Sequence, residues 1–175
     1  LQDPKRSLFG PYLKSPELYL CPSDRSTVVV NGKKKQVVRS YGMNSFLGWE
    51  PQARNGDPER YRDLPTMGYR VYRKSSDTMS PGPSQLLTFV EVHSESICRP
   101  FFGIAAGRNF FYHVPGNFHD RNTVTAFADG HVEKHKWLDQ RTYSPPRTMA
   151  WHDHNYTSLN NRDLVWLQER ASVRQ

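Results

Sequence analysis

The sequence predicts one α+β domain in which an antiparallel β-sheet with hairpins is accompanied by short helices. Three observations predict it: two hairpin turns, one buried strand pattern, and one capped helix near the end. The chain has 175 residues, which is the length of one ordinary domain. We therefore expect a single globular unit over residues 1–175, with residues 50–84 as a loop-rich insertion.

The first hairpin is predicted around Asn31 and Gly32, the favoured pair for a two-residue turn. A Val-rich strand over residues 27–30 precedes this pair, and residues 36–38 return from it. We expect residues 39–44 to continue the returning strand.

The second hairpin is predicted around Asp129 and Gly130, between strands over residues 122–128 and 131–137. Residues 86–92 form a short, mostly apolar run of the kind that lies buried within a sheet. Together these strands predict the body of an antiparallel sheet.

A helix near the end is predicted over residues 163–170, with Asn161 positioned to cap it. Large apolar side chains of the last strands and of this helix are expected to fill the core. They are Phe127 and Val132 as an inward-facing cross-strand pair, and Trp137 and Trp166 as core anchors.

The charge balance is basic, with 24 Lys and Arg against 17 Asp and Glu and a net charge of +7. A positive net charge favours binding to nucleic acid. Here the basic residues are spread along the chain, and the one continuous run is Lys33–Lys35. That run follows a tight turn, where lysines protect an exposed strand edge. We therefore expect no nucleic-acid partner. No apolar run approaches the roughly 20 residues that cross a bilayer.

His131, Glu133 and His135 alternate along a strand and therefore share one face, with Asp129 at the turn before them. His131 and His135 lie about 13 Å apart in an extended strand, too far to share one ion. A two-residue turn would place Glu133 opposite Ala126, so the partner strand offers no third ligand. A zinc site would need a further histidine from elsewhere, namely His113, His119 or His152.

Cys21 and Cys98 are separated by 77 positions without a Cys-x-x-Cys spacing, so a zinc site built on them is not predicted. They can form a disulfide only in an oxidising compartment. The presence of two cysteines does not by itself decide between a disulfide and two free thiols. The sequence lacks a Gly-x-Ser-x-Gly elbow and a recognisable Cys/His signature, which argues against an enzyme with a nucleophilic side chain. The cluster His152-Asp153-His154 is interpreted as a solvated loop.

The most specific pattern is His119, nine residues, then Asp129-Gly130, followed by His131, Glu133 and Trp137. Further segments accompany it in order: Cys-Pro-Ser-Asp at 21–24, Ser-Tyr-Gly-Met-Asn at 40–44, the strand 89–97, and Asp-Leu-Val-Trp-Leu at 163–167. This set resembles the pseudopilin-like proteins with a prepilin-type cleavage/methylation leader and a His-x(9)-Asp-Gly domain, within the type II secretion and type IV pilin-like superfamily. The strand departs from the family in carrying Glu91-Val92 where an Asp-Glu pair is usual.

The resemblance implies a pilin-like fold, in which the end of a long helix lies on an antiparallel sheet. The intact protein would begin with a basic leader, a prepilin-peptidase site and an apolar helix of about 20 residues. The present chain begins at Leu1 without a Met, which we interpret as the head without its leader and transmembrane helix. The protein would be anchored in the cell envelope of a bacterium, with its head on the periplasmic or extracellular face.

The function implied is that of a non-enzymatic structural subunit of a type II secretion or type IV pilus-like filament. Its partners would be other pilin or pseudopilin subunits, the secretion machinery, and the membrane through the helix. One alternative is a secreted or periplasmic carbohydrate-binding module that uses exposed rings: Trp49, Tyr69, Tyr72 and Trp151. A third is a metal-dependent hydrolase centred on Glu133 and the histidines.

The resemblance also assigns structural roles. We expect His119 to hydrogen-bond to the Asp129 turn. The export route would place Cys21 and Cys98 where a disulfide persists, although in some relatives the first cysteine pairs nearer the stalk helix, so Cys98 is either partner or bystander. Major pseudopilins hold Ca²⁺ near the C-terminus, and no other cofactor is expected. The residues that would bind this ion here are Asp153, Asn155 and Asp163.

Overall fold

The computed structural model describes residues 9–13, 15–48, 68–146 and 154–175. These residues form a mixed α+β fold dominated by β-sheet, so the predicted α+β class is confirmed. Most of the expected insertion, residues 50–67, lies outside the described part of the chain. None of the helices that are described combines the length and the apolar composition needed to cross a membrane.

Nine strands are found in the described residues, namely β1 (Thr27–Val30), β2 (Lys33–Gln36), β3 (Tyr41–Asn44), β4 (Leu87–Glu91), β5 (Phe101–Phe102), β6 (Phe110–Phe111), β7 (Asn122–Phe127), β8 (Val132–Lys136) and β9 (Tyr156–Thr157). The central sheet has five strands in the order β5-β3-β4-β7-β8, and β1-β2 and β6-β9 form two small sheets. Neighbouring strands of the central sheet are antiparallel except for β3 and β5, which are parallel.

The helical elements of the described chain are short. The α-helices are α1 (Gln140–Tyr143) and α2 (Arg162–Ala171), and 3₁₀ helices cover Pro16–Tyr19, Ser75–Met79 and Ser94–Ser96. Helix α2 begins as predicted at Asn161, whose side-chain oxygen accepts from the backbone N–H groups of Asp163 (2.8 Å) and Leu164 (3.1 Å).

The first hairpin is confirmed, because β1 and β2 pair around Asn31 and Gly32, which both have φ in the left-handed region (52° and 71°). The expectation that residues 39–44 continue β2 is wrong. The buried Ser40 donates its N–H to the carbonyl of Tyr19 and accepts from Val92 N–H, which turns the chain away. Strand β3 therefore enters the central sheet beside β4.

The second hairpin forms where it was predicted, but its loop has three residues instead of two. Phe127 and His131 are joined by a backbone hydrogen bond of 3.0 Å, and Gly130 (φ 92°) donates its N–H back to the Phe127 carbonyl. This is the arrangement in which a glycine of positive φ closes a three-residue loop. The strand register is therefore displaced by one residue from a two-residue turn.

The displaced register reverses two expectations about side chains. Glu133 pairs with Thr125 instead of Ala126, and Ala126 pairs with Val132. Phe127 is buried as predicted, whereas Val132 is 62% exposed because it lies on the opposite face. The inward-facing Phe127–Val132 pair is thus wrong.

The inner face of the central sheet packs against α2 and forms the main core. Leu164 and Leu167 of the helix join Val90 and Phe127 of the sheet in one buried cluster. Trp137 is buried there as expected and donates its indole N–H to the Gly116 carbonyl (2.8 Å). Trp166 is partly buried and packs against the same cluster.

The outer face carries apolar side chains that are less deeply buried. The register places Met43, Phe89, Ala126 and Val132 in one row across four strands, since directly opposed residues share a face. The first three are half-buried. The ring of Phe9, from the N-terminal segment, meets the Phe89 ring edge-on at a centroid distance of 6.3 Å.

Asn44 joins the sheet to α2. Its buried side-chain amide donates to the carbonyls of Leu87 and Ala171, each at 2.9 Å, and its oxygen accepts from Phe46 N–H. Removing the Asn44 side-chain amide would leave these buried backbone groups without their hydrogen bonds, which costs about 1–3 kcal/mol per group.

We therefore predict that Asn44→Ala lowers the free energy of unfolding by about 3 kcal/mol, because two buried carbonyls lose their donor. Urea denaturation followed by circular dichroism measures the change. The exposed Asn155, replaced by Ala, serves as the control and should change stability by less than about 0.5 kcal/mol. Equal effects of the two substitutions would contradict this role of Asn44.

Candidate functional site

The loop after the first 3₁₀ helix holds Cys21 in a buried position. Asp24 organises this loop, since its carboxylate accepts from Ser26 N–H (2.9 Å) and from the Ser40 hydroxyl (2.7 Å). The Ser40 oxygen in turn accepts from Cys21 N–H at 3.1 Å. Ser40, which directly precedes β3, therefore sets the position of Cys21 relative to the sheet.

Glu91 ends β4 and has no solvent exposure (0%), which is unusual for a carboxylate. Its Oε2 accepts from Val124 N–H (3.0 Å) and lies 3.4 Å from the Thr123 hydroxyl. Its Oε1 lies 3.0 Å from His119 Nε2. The strand β7 thus holds one carboxylate oxygen, and the other faces the imidazole.

His119 lies just before β7 and brings the Cys21 loop and Glu91 together. Its Nε2 is 3.4 Å from Cys21 Sγ as well as 3.0 Å from Glu91 Oε1. The side chain is 25% exposed, so this group of atoms has an edge at the surface. We call Cys21, Glu91 and His119 the Glu91 cluster; their ligand atoms all lie within 4.8 Å of one another.

Burial and charge act together on the thiol of the Glu91 cluster. Burial raises the pKa of Cys21, the Glu91 carboxylate raises it further, and the N–H groups of Ser23 and Asp24 act in the opposite direction. Burial, followed by Cys21 and Glu91, also raises the pKa of the neighbouring Tyr41. The group of the cluster that attracts a cation is the buried Glu91 carboxylate.

A second group, the Cys98 cluster, consists of Cys98, His113 and His154. Cys98 Sγ lies 3.5 Å from His113 Nε2 and 3.6 Å from His154 Nε2. The buried His113 accepts Gly103 N–H at its Nδ1 (2.9 Å). His154 stacks on Tyr112 at 4.1 Å, and its Nδ1 faces the Tyr112 carbonyl at 3.3 Å.

These partners determine where the imidazole protons lie in the Cys98 cluster. Nδ1 of His113 accepts a hydrogen bond, so the proton of the neutral ring is on Nε2 and faces Cys98. Nδ1 of His154 faces a carbonyl and carries the proton, which leaves a lone pair on Nε2. The thiol therefore lies between one donor and one acceptor, the arrangement that activates a cysteine.

Positive charge surrounds the Cys98 cluster. Burial, followed by the nearby His154, Arg39 and Arg99, lowers the pKa of His113 to about 3. Burial also lowers the pKa of Arg39, whose guanidinium donates to the Arg99 carbonyl. An electropositive and partly exposed position is typical of a reactive thiol.

One expected contact of the motif residues is wrong, and one that the sequence left open is not formed. His119 does not bond to the Asp129 turn, because it faces Glu91, and Asp129 accepts instead from His131 N–H (3.1 Å) and Nδ1 (2.6 Å). Cys21 and Cys98 are not joined by a disulfide. Each belongs to a separate cluster with its own histidine partners.

The expected Ca²⁺ ligand Asp163 is buried and already occupied. Its carboxylate accepts from the backbone N–H groups of Leu138 (3.0 Å) and Asp139 (2.9 Å), which fixes the chain before α1. Asn155 is exposed, and Asp153 lies outside the described residues. The Asp163 carboxylate therefore has a structural role, and a Ca²⁺ site at Asp153, Asn155 and Asp163 stays a prediction.

His131, Glu133 and His135 do not form a site of their own among the described residues. His131 stacks on Phe127 (4.4 Å), His135 stacks on Trp166 (3.7 Å), and Glu133 is exposed. The rings considered for carbohydrate binding are not all exposed, because Tyr72 is buried in the core and Tyr69 packs against the same core. The other two rings, Trp49 and Trp151, lie outside the described residues.

Comparison of the chain with protein-family models, with curated proteins and with solved structures finds no match. The functional assignment therefore depends on the geometry of the residues themselves.

Sequence reasoning singled out His119 and both cysteines but missed their partners. His154 was assigned to solvated surface, and Glu91 was noted only as a departure from a family pattern. Glu91 is 28 positions from His119, and Cys98 is 56 positions from His154, so no local spacing joins them. A charged residue inside an apolar strand was the one available signal for Glu91.

We predict that iodoacetamide alkylates Cys98 much faster than Cys21 in the folded protein. Cys98 is partly exposed between two imidazoles, whereas Cys21 is buried with a raised pKa. Peptide mass spectrometry over time measures both rates. Since the chain has two cysteines, Cys98→Ser should remove the fast phase, and a fast phase that persists would contradict the prediction.

We predict that stability falls as the pH is lowered from about 6.5 towards 3. The pKa of His113 is depressed by burial, so the unfolded chain takes up a proton that the folded chain excludes. This group alone contributes up to about 1.4 kcal/mol per pH unit in that window. Urea melts across the range measure the slope. It should become shallower in His113→Gln, and equal slopes would contradict the assignment.

Proposed function

We propose that the chain is the pilin-like head of a pseudopilin-like protein, a non-enzymatic structural subunit of a type II secretion or type IV pilus-like filament. The observation that carries the proposal is the apolar outer face of the central sheet. A pilin-like fold places a long helix on one face of an antiparallel sheet, and α2 already occupies the inner face.

The row Met43, Phe89, Ala126 and Val132 suits such a helix. It crosses four strands, its members are half-buried or exposed, and aromatic Phe9 already rests on it. Burial of apolar surface stabilises a fold by about 25 cal/mol per Å². A helix with one apolar stripe would therefore be stabilised by packing that stripe across this row. The helix would belong to the segment N-terminal to Phe9.

The positions of the motif residues also support a structural role. Residues from the Cys-Pro-Ser-Asp segment, the Ser-Tyr-Gly-Met-Asn segment, the central strand and the His-x(9)-Asp-Gly segment contact one another directly. These contacts are Cys21 with His119, His119 with Glu91, and Ser40 with Asp24. Each motif side chain in these contacts helps to hold the loop onto the sheet.

In this proposal the helix anchors the protein in the bacterial membrane and packs in the filament core. The head lies on the periplasmic or extracellular face of the cell envelope. There it makes lateral contacts with other pilin or pseudopilin subunits and with the secretion machinery.

The coding sequence upstream of Leu1 tests the proposal directly. We predict a short basic leader ending in Gly, followed by an apolar helix of about 20 residues. A cleavable signal peptide without such a helix, or a cytoplasmic domain in its place, would overturn the filament role.

A second arm of the same test uses the intact protein. Met43→Glu on the outer face should reduce filament assembly, because the charge would lie under the helix. Val29→Glu on the exposed β1 serves as the matched control and should leave assembly unchanged. Normal filaments from Met43→Glu would show that the helix lies elsewhere.

A further inference from the structure

We infer that Cys21, Glu91 and His119 bind a divalent transition-metal ion of the zinc class. This site goes beyond the filament role and does not depend on it, since all three ligands belong to the described head. The three residues supply one sulfur, one oxygen and one nitrogen atom within 4.8 Å of one another.

The distances between the ligand atoms match a tetrahedral ion. With Zn–S near 2.3 Å and Zn–N or Zn–O near 2.0–2.1 Å, tetrahedral geometry separates S from N by about 3.6 Å and N from O by about 3.3 Å. The observed separations are 3.4 Å for Cys21 Sγ to His119 Nε2 and 3.0 Å for His119 Nε2 to Glu91 Oε1. For these two pairs, movements of a few tenths of an ångström suffice to reach the tetrahedral values, and the third pair, Cys21 with Glu91, lies within 4.8 Å.

Each ligand atom is oriented by groups behind it, as in established metal sites. Val124 N–H holds Glu91 Oε2 at 3.0 Å, which leaves Oε1 for the ion. Cys21 is held by its backbone, since its N–H donates to the Ser40 hydroxyl oxygen (3.1 Å) and its carbonyl accepts from Asp24 N–H (2.9 Å). His119 presents Nε2 to the cluster, so its Nδ1 can carry the ring proton.

The Cys98 cluster has a similar composition but does not suit a cation. Its S–N distances of 3.5 and 3.6 Å are close to tetrahedral values. However, Gly103 N–H occupies Nδ1 of His113, so the Nε2 facing the sulfur already carries a proton. The positive charges of Arg39 and Arg99 act on the same group. The anionic Glu91 cluster is therefore the site that attracts the ion.

The donor set selects the class of metal. Thiolate and imidazole ligands favour zinc and related transition metals, whereas Ca²⁺ and Mg²⁺ prefer oxygen ligands. Binding replaces the thiol proton of Cys21, which passes to solvent, and forms one S–metal bond. Three protein ligands leave one tetrahedral position, and the partly exposed His119 provides a path for the ion and for a water molecule.

Binding would join three separate parts of the fold, namely the Cys21 loop, the end of β4 and the turn before β7. An ion that binds the folded state in preference to the unfolded chain stabilises it. We therefore expect Zn²⁺ to raise the melting temperature of the chelator-treated protein.

Cobalt titration of Cys98→Ser tests the site, because Cys21 is then the sole thiol of the chain. After chelator treatment and reduction, one equivalent of Co²⁺ should give tetrahedral d–d bands and a thiolate-to-cobalt charge-transfer band, and Zn²⁺ should displace both. If Cys98→Ser lacks these bands, the proposal is overturned.

His119→Gln in the Cys98→Ser background supplies the second measurement. Loss of a direct ligand should weaken Co²⁺ binding at least about 100-fold, beyond the roughly 10–100-fold effect of losing an outer-shell partner. The control is His131→Gln, an exposed histidine outside the cluster, which should leave the affinity unchanged. Unchanged affinity in a folded His119→Gln would overturn the assignment. Neither outcome depends on filament assembly, which the upstream sequence tests separately.

Discussion

The buried Glu91 carboxylate is the interaction on which the arrangement of this fold depends. One of its oxygens is held by the backbone of β7, and the other meets the histidine that precedes this strand. Burying a charged group is unfavourable unless it is hydrogen-bonded, so the loop, the strand and the turn must assemble together. The same carboxylate faces Cys21, so a structural requirement of the sheet also creates the chemistry of the cluster.

The two cysteine clusters show how surroundings decide the chemistry of similar side chains. Both combine a thiol with an imidazole at about hydrogen-bond distance. Around Cys21 the neighbour is a buried carboxylate, which favours a cation. Around Cys98 the neighbours are guanidinium groups and a second imidazole, which favour an anionic sulfur. The ligand type alone does not distinguish these cases, but the charge beyond the first contacts does.

Local features of the fold were predictable from the sequence, and long-range ones were not. Asn31-Gly32 and Asn161 were placed correctly, because a turn and a helix cap depend on neighbouring residues. Asp129-Gly130 was located, but its loop length depended on the φ of Gly130, which composition does not specify. The partners of Cys21 and Cys98 lie 15 to 98 positions away, so only the folded chain brings them together.

The hydrogen bonds of the Asn44 side chain have a consequence for folding. Its amide spans 127 positions to reach the carbonyl of Ala171, which lies within the last turn of α2. Contacts between residues that are far apart in the sequence form slowly during folding. The inner face of the sheet therefore stays open until α2 packs onto it. During that interval the chain exposes the apolar strands that α2 later covers.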